Sequence, residues 1–135
     1  MESKFLMVTL ATWFLFMILA IANAVIREAV YTSFLDELRA HQLSTFTLMI
    51  IFFIGTFLVL RFTGLKLTDQ QTFLMGTIWV IMTISFEFLA GHYAFGNSWE
   101  KLVADYNILK GRIWILIPIT TFVSPFLTNR LLQLI

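Results

Sequence analysis

The sequence predicts an all-α protein, a four-helix transmembrane bundle whose helices run up, down, up and down. Of its 135 residues, 59% are hydrophobic and 13% are charged, whereas a soluble domain is about half apolar and about a quarter charged. Four windows without any charged residue are each about as long as the roughly 20 residues that a helix needs to cross a bilayer. These windows are continuously apolar rather than alternating, which argues against barrel strands. The length leaves room for a single integral membrane domain.

The four windows set the predicted spans. They cover residues 5–26, 42–60, 70–86 and 113–129, and with their flanks they predict spans over residues 5–27, 42–62, 70–94 and 111–133. A cleaved leader is an alternative for the first span, because Ala22-Asn23-Ala24 resembles a signal-peptidase site. The apolar run before it is longer than the roughly 7–15 residues of a signal peptide, and the segment preceding that run is barely positive. We therefore expect the first span to be retained.

Loops 1 and 2 contain signals for helix starts. Ser33 is followed three and four residues later by acidic residues, a pattern typical of a helix N-terminus. Apolar residues share one face of this segment, so loop 1 is predicted to hold a short helix on the membrane surface. In loop 2, Thr68 and Gln71 have the spacing of a capping box that opens the third span.

Loop 3 is predicted to form an amphipathic interfacial helix that covers the end of the bundle. Asn97 or Ser98 can cap this helix, and apolar residues recur along one face from Trp99 to Tyr106. Trp and Tyr in such a position most often anchor a loop among lipid headgroups, and stacking on a ligand is the alternative. The lid residues that we single out are Trp99, Glu100, Asp105 and Tyr106.

Basic residues are divided almost evenly between the two sides of the predicted bundle. Four lie on the side of the termini and five on the other side. Two of the five, Arg27 and Arg112, sit at helix ends where they can pair within the bundle. Without them the termini side carries the excess, and the positive-inside rule then places both termini in the cytoplasm.

Polar residues of the spans collect at one end of the bundle. The ends of spans one and three lie in the same leaflet as the starts of spans two and four. A charge at the bilayer centre costs about 2.5–3.5 kcal/mol on insertion scales, so such residues face the bundle and find partners. We therefore predict that Glu87 points inward and pairs with Arg27 or Arg112. The candidates for ligand binding or buried ion pairing are Asn23, Arg27, Glu28, His41, Glu87, His92 and Arg112.

Cofactors and metals are not predicted. The chain has no cysteine, which excludes disulfides, thiol nucleophiles and thiolate metal sites. His41 and His92 could ligate a metal or haem, but Glu87 and His92 are five residues apart and do not share a helix face as two ligands, and no H-x-x-E-H spacing exists. We interpret both as interfacial histidines bonded to loops. The net charge of +1 implies no nucleic-acid partner.

Several short segments resemble those of a family of small, uncharacterised, four-span bacterial integral membrane proteins. They are Arg27-Glu28-Ala29, 40–45, Phe86-Glu87-Phe88, Ser98-Trp99-Glu100, Asp105-Tyr106 and Gly111-Arg112 with Trp114. The resemblance covers most of the chain and implies a four-span fold in a bacterial inner (cytoplasmic) membrane. The family has no assigned activity, so the resemblance supports the choice of residues and not their chemistry.

Three functional hypotheses follow from the polar cluster. The leading one is a polar pocket in one leaflet that binds or transports a small ligand, an ion or a lipid headgroup. The second is a structural or assembly subunit of a larger membrane complex or a homo-oligomer, in which the charges fix helix packing. The third is a membrane enzyme acting on a lipid-soluble substrate, with Glu87 and His92 as acid and base. The sequence leaves open whether the protein is an enzyme.

Overall fold

The computed structural model describes residues 2–135, with side chains from Ser3 onwards. Its helices are α1 (Glu2–Ala29), α2 (Glu37–Thr63), α3 (Asp69–Tyr93), α4 (Trp99–Ala104) and α5 (Leu116–Leu134). Short 3₁₀ turns at Tyr31–Ser33 and Ile108–Lys110 lie in the loops. The chain is 83% helical, which confirms the predicted all-α class.

Among the described residues, three helical stretches are long and apolar enough to cross a membrane: Ser3–Ser33, which joins α1 to the 3₁₀ turn after it, Glu37–Thr63 and Asp69–Tyr93. Their outer faces carry large exposed hydrophobic side chains such as Met7, Phe14 and Ile50. A surface of this kind is suited to lipid, so the structure agrees with the membrane environment that composition predicts. The predicted fourth span corresponds to α5, which is shorter and carries Asn129 and Arg130 near its end.

The order of the helices around the core differs from their order in the chain. α5 packs against both α2 and α3, and α1 packs against α2 and, less extensively, against α3. α2 and α3 are joined by the short loop 64–68, yet they do not pack on each other. Their separation has a physical cause, because α5 lies between them and buries a face against each.

Aromatic side chains from three helices fill the centre of the molecule. Phe16 of α1 stacks on Phe52 of α2 with ring centroids 4.7 Å apart, and meets Trp79 of α3 edge-on at 5.3 Å. All three are at most 1% exposed. The indole nitrogen of Trp79 donates to the backbone oxygen of Thr9 at 2.9 Å. This bond satisfies the buried indole and fixes α3 to α1.

The helix starts follow local side-chain caps. Thr68 and Gln71 form the predicted capping box at the start of α3, with both reciprocal bonds present. The prediction of a helix start at Ser33 is wrong, because the cap of α2 is Asp36, whose carboxylate accepts from the backbone N–H of Arg39. Ser33 bonds to the oxygen of Val30 within a single 3₁₀ turn. The helix beginning in loop 1 is therefore the start of α2 itself.

A close helix–helix approach joins α3 to α5 at a glycine. A Cβ built on Gly76 would lie 2.3 Å from the backbone oxygen of Phe122. No other residue type fits at this position without moving a backbone. In α5, the hydroxyls of Thr121 and Ser124 donate to the backbone oxygens of Pro118 and Thr120.

Candidate functional site

A cavity of about 270 Å³ lies between the C-terminal halves of α1 and α3. The start of α2 and the segment that leads into α5 form its back. The lid, residues 97–106, which contains α4, covers its end. Small residues such as Ala20, Ala24 and Gly91 line the walls, and these leave the space that larger side chains would fill. The cavity therefore occupies the end of the molecule where the sequence predicts a polar pocket.

Glu87 lies in the wall of this cavity and is held by two neutral donors. The Tyr106 hydroxyl donates to Oε2 of Glu87, and the indole nitrogen of Trp114 donates to Oε1 at 2.9 Å. Both oxygens of the carboxyl group therefore have a partner. The two donors come from the lid and from the approach to α5, so Glu87 ties three separate segments together.

The predicted ion pair between Glu87 and an arginine is wrong. Arg112 forms a two-bond ion pair with Glu37, at 2.9 and 2.6 Å. Arg27 contacts Glu28 at 3.3 Å and donates to the Ser44 hydroxyl at 3.3 Å. Each arginine pairs with a more exposed acid, since Glu28 and Glu37 are 67% and 64% exposed whereas Glu87 is partly buried in the cavity wall.

The lid is fastened to α3 by packing as well as by hydrogen bonding. The Tyr106 ring lies parallel to that of Phe88, with centroids 6.0 Å apart. A Cβ on Gly91 would lie 2.7 Å from a methyl group of Leu102, so the absence of a side chain lets α4 come close. Burial raises the pKa of the Tyr106 phenol far above its usual value, so the hydroxyl keeps its proton and remains a donor.

His41 lines the cavity from α2 and has an unused hydrogen-bonding atom. Its side chain is 7% exposed, and its ring lies 5.2 Å from that of Trp114. Within residues 2–135, Nδ1 of His41 is buried without a hydrogen-bond partner. A buried polar atom without a partner is costly, so this nitrogen calls for an explanation.

The predicted site residues divide into two groups. Arg27, His41, Glu87, Asp105 and Tyr106 line the cavity together. The others lie outside it: Asn23, Glu28, His92, Trp99, Glu100 and Arg112.

Residues outside the cavity have structural partners of their own. The side-chain amide of Asn23 donates to the Ser44 oxygen at 3.1 Å and joins α1 to α2. His92 Nδ1 donates to the Asn97 oxygen at 2.8 Å, and its ring stacks on Trp99 with centroids 3.8 Å apart. His92 therefore holds the start of the lid and is not positioned as a partner for Glu87. The interpretation of both histidines as bonded to loops is wrong for His41, whose ring is buried and has no hydrogen bond to a loop among the described residues.

Two contributors to the site were missed by sequence reasoning. Trp114 is a direct partner of Glu87, and Glu37 is the partner of Arg112. Two facts could have predicted the bond between Trp114 and Glu87. A buried indole N–H needs an acceptor, and Trp114 lies at the same end of the bundle as Glu87. Charge complementarity alone pointed to the arginines instead.

Within residues 2–135, no group of three or more histidine, aspartate or glutamate side chains is arranged to hold a metal ion. No protein-family model, curated protein or solved structure matches this chain. We therefore infer the function from the geometry of the cavity.

Proposed function

We propose that this protein is a four-span membrane protein that binds a small amphiphile in the cavity between α1 and α3. In this proposal α5 is the fourth span of an up-down-up-down bundle in a bacterial inner membrane. Both termini lie in the cytoplasm, and the cavity opens in the outer leaflet. The observation that carries the proposal is the cavity, in which Arg27, His41 and Glu87 from three helices meet.

The size of the cavity supports a small ligand. Ligand pockets usually measure about 300–1,000 Å³. At about 270 Å³ this cavity is near the lower limit, so it suits one short chain or a small ring system rather than a whole phospholipid. Aromatic side chains at Phe86, Phe88 and Phe95 give the cavity an apolar wall for that part of the ligand.

The polar end of the cavity supports a headgroup that accepts hydrogen bonds. Both oxygens of Glu87 are already bonded, so this residue shapes the site without needing a ligand. Arg27 is 18% exposed and uses two of its donors on Glu28 and Ser44, which leaves further N–H groups. His41 Nδ1 is unpartnered. These two side chains therefore have hydrogen-bonding capacity left for a ligand.

The outer wall of the cavity supports entry from the bilayer. α1 and α3 are bonded to each other at Trp13 and Thr83, with the indole nitrogen 3.1 Å from the hydroxyl. Beyond this bond, Ile21 and Val25 line the cavity and are 45% and 60% exposed. The gap therefore opens sideways, towards the position of lipid chains rather than only towards water.

A pair of alanine substitutions on α1 tests the proposal. Ala24→Leu adds bulk inside the cavity, whereas Ala22→Leu adds the same bulk to an exposed position that does not line it. We expect Ala24→Leu to weaken saturable binding of dodecanoate to the protein in phosphatidylcholine nanodiscs by about tenfold or more, and Ala22→Leu to leave it within twofold. Native mass spectrometry measures the bound probe. Equal binding by both variants and the unaltered protein would refute the cavity as the site.

The transmembrane arrangement has its own test. The chain has no cysteine, so single cysteines can be introduced without background. In proteoliposomes, a maleimide that cannot cross the membrane should label Lys66→Cys and Gln133→Cys from one side and Lys110→Cys from the other. Labelling of Gln133→Cys from the side of Lys110→Cys would contradict α5 as a fourth span.

A further inference from the structure

A second cavity, of about 400 Å³, lies at the opposite end of the molecule from the proposed ligand site. It is formed by the end of α2, the loop 64–68 and the end of α5. Its floor is apolar and buried, with Leu60, Leu65 and Leu67 at most 7% exposed. Its edge carries two exposed cations, Arg61 and Lys66.

The loop that shapes this second cavity is held in a defined conformation. Gly64 ends α2 with φ of 66°, a left-handed conformation that glycine adopts without strain. The side-chain amide of Asn129 donates to the Leu67 oxygen at 3.0 Å and fastens the loop to α5. The cavity is therefore a fixed feature of the fold, with Lys66 held between two leucines that point inwards.

The cations at this end are not equivalent. Arg130 pairs with Asp69 at 2.9 Å, and Lys4 donates to the Thr63 oxygen at 2.8 Å. Among the side chains that the structure describes, Arg61 and Lys66 form no ion pair. Of the four cations, Arg61 and Lys66 are therefore the two that border the cavity, and neither has a hydrogen-bond partner among the described side chains.

The distribution of charge along the molecule favours an anion here. The end that contains the second cavity has four basic and two acidic residues by sequence, a net charge of +2. The other end has five basic and six acidic residues, a net charge of −1, and together they give the +1 of the chain. An anion is therefore attracted to the end that contains Arg61 and Lys66.

We infer that Arg61 and Lys66 form a binding site for a phosphate group, with the buried leucines receiving the apolar part next to it. Arg and Lys are the side chains that best bind phosphate, through charge-assisted hydrogen bonds. The site lies where the apolar helices end, which is the level of lipid headgroups, and basic pockets in such positions bind anionic lipids. A lipid phosphate and free inorganic phosphate share this chemistry. The inference does not depend on the cavity between α1 and α3.

The test compares paired charge removals at the two ends. Arg61→Gln with Lys66→Gln removes the proposed site, and Arg39→Gln with Lys110→Gln removes two exposed cations from the other end. The full chain is placed in phosphatidylcholine nanodiscs containing phosphatidylglycerol, and native mass spectrometry measures the phosphatidylglycerol that it retains. Each cation near an anionic surface contributes about fivefold, so we expect a loss of about 25-fold in the first variant and a change within twofold in the second.

Inorganic phosphate distinguishes the two sources of the group. If millimolar phosphate displaces phosphatidylglycerol from the unaltered protein, the site recognises phosphate alone. If it does not, recognition includes the lipid, as the leucine floor implies. Retention by Arg61→Gln/Lys66→Gln equal to that of the unaltered protein would overturn the inference, and so would an equal loss in the Arg39→Gln/Lys110→Gln control.

Discussion

The two halves of the molecule differ in the polar side chains that join their helices. In the packed half, which is the half away from the cavity between α1 and α3, buried hydroxyls donate to oxygens of their own helices. Thr9, Thr56, Thr72 and Thr128 all do so, at 2.6–2.7 Å. These groups need nothing from neighbouring helices, so the helices can approach closely, as Gly76 and Phe122 do.

In the cavity half, which contains the cavity and the lid, buried hydroxyls also donate within their own helices, but longer polar side chains bond between separate elements. Gln42 donates to the Gly111 oxygen at 2.8 Å, and Asn23 donates to the Ser44 oxygen at 3.1 Å. Glu87 receives donors from the lid and from the approach to α5. The two halves therefore differ in how their elements are joined: long polar side chains bond across the cavity half, whereas α3 and α5 of the packed half approach so closely that only a glycine fits between them.

The largest expected effect is a loss of stability, which we compare between one glycine substitution in the packed half and one in the cavity half. Gly76→Ala places a Cβ against the backbone oxygen of Phe122, and backbone cannot move without shifting α5. We expect a loss of about 3 kcal/mol in the free energy of unfolding, at the upper end of typical overpacking costs. Gly91→Ala meets only a methyl group of Leu102, which can rotate away, and should cost about 1 kcal/mol or less. Unfolding in mixed micelles with increasing dodecyl sulfate measures both, and a larger loss for Gly91→Ala would reverse the comparison.

A smaller effect should follow from removing one donor to Glu87. Tyr106→Phe leaves Oε2 of Glu87 without its partner, and an unsatisfied buried group costs about 1–3 kcal/mol. We expect faster hydrogen exchange across the lid, residues 97–106. Tyr93→Phe is the matched control, because Tyr93 is 75% exposed and lies just before the lid. If both variants exchange like the unaltered protein, the Tyr106 bond does not hold the lid.

The smallest effect is expected for the surface ion pair of the cavity half. Arg112 and Glu37 form two hydrogen bonds, but Glu37 is 64% exposed, so water screens the pair. A double-mutant cycle with Arg112→Gln and Glu37→Gln should give a coupling of about 1 kcal/mol or less. The Arg130 and Asp69 pair of the packed half, with both members 53% exposed, should give a similar value. A coupling of several kcal/mol in the cavity half would mean that the pair is buried by lipid or by a partner.

Most of the helical layout was predictable because apolar composition decides it. The predicted spans 5–27, 42–62 and 70–94 fall within a few residues of α1, α2 and α3, except that α2 starts earlier, at Glu37. The helix starts there because Asp36 caps it, whereas the sequence offered both Ser33 and Asp36 as possible N-cap residues. The separation of α2 from α3 could not be predicted, because it results from the burial of α5 between them.

The location of the site was more predictable than its contacts. Lipid excludes polar groups, so the concentration of Arg27, His41 and Glu87 near one end of the helices was visible in the sequence. Their partners depend on which side chains reach each other across the end of the bundle. The donors to Glu87 are the Trp114 indole and the Tyr106 phenol. A count of aromatic residues does not show that these two side chains act as hydrogen-bond donors.

The central claim about this molecule is that a ligand enters the cavity between α1 and α3 from the bilayer. A dodecanoate analogue with a photoreactive group near the end of its chain tests this directly, when it is irradiated with the protein in nanodiscs and the adducts are mapped by peptide mass spectrometry. We expect adducts on residues that line the cavity, such as Ile21, Val25 and Phe86, and their loss on addition of excess dodecanoate. Adducts spread over the exposed faces at Met7, Phe14 and Ile50, unaffected by excess dodecanoate, would contradict a ligand site between α1 and α3.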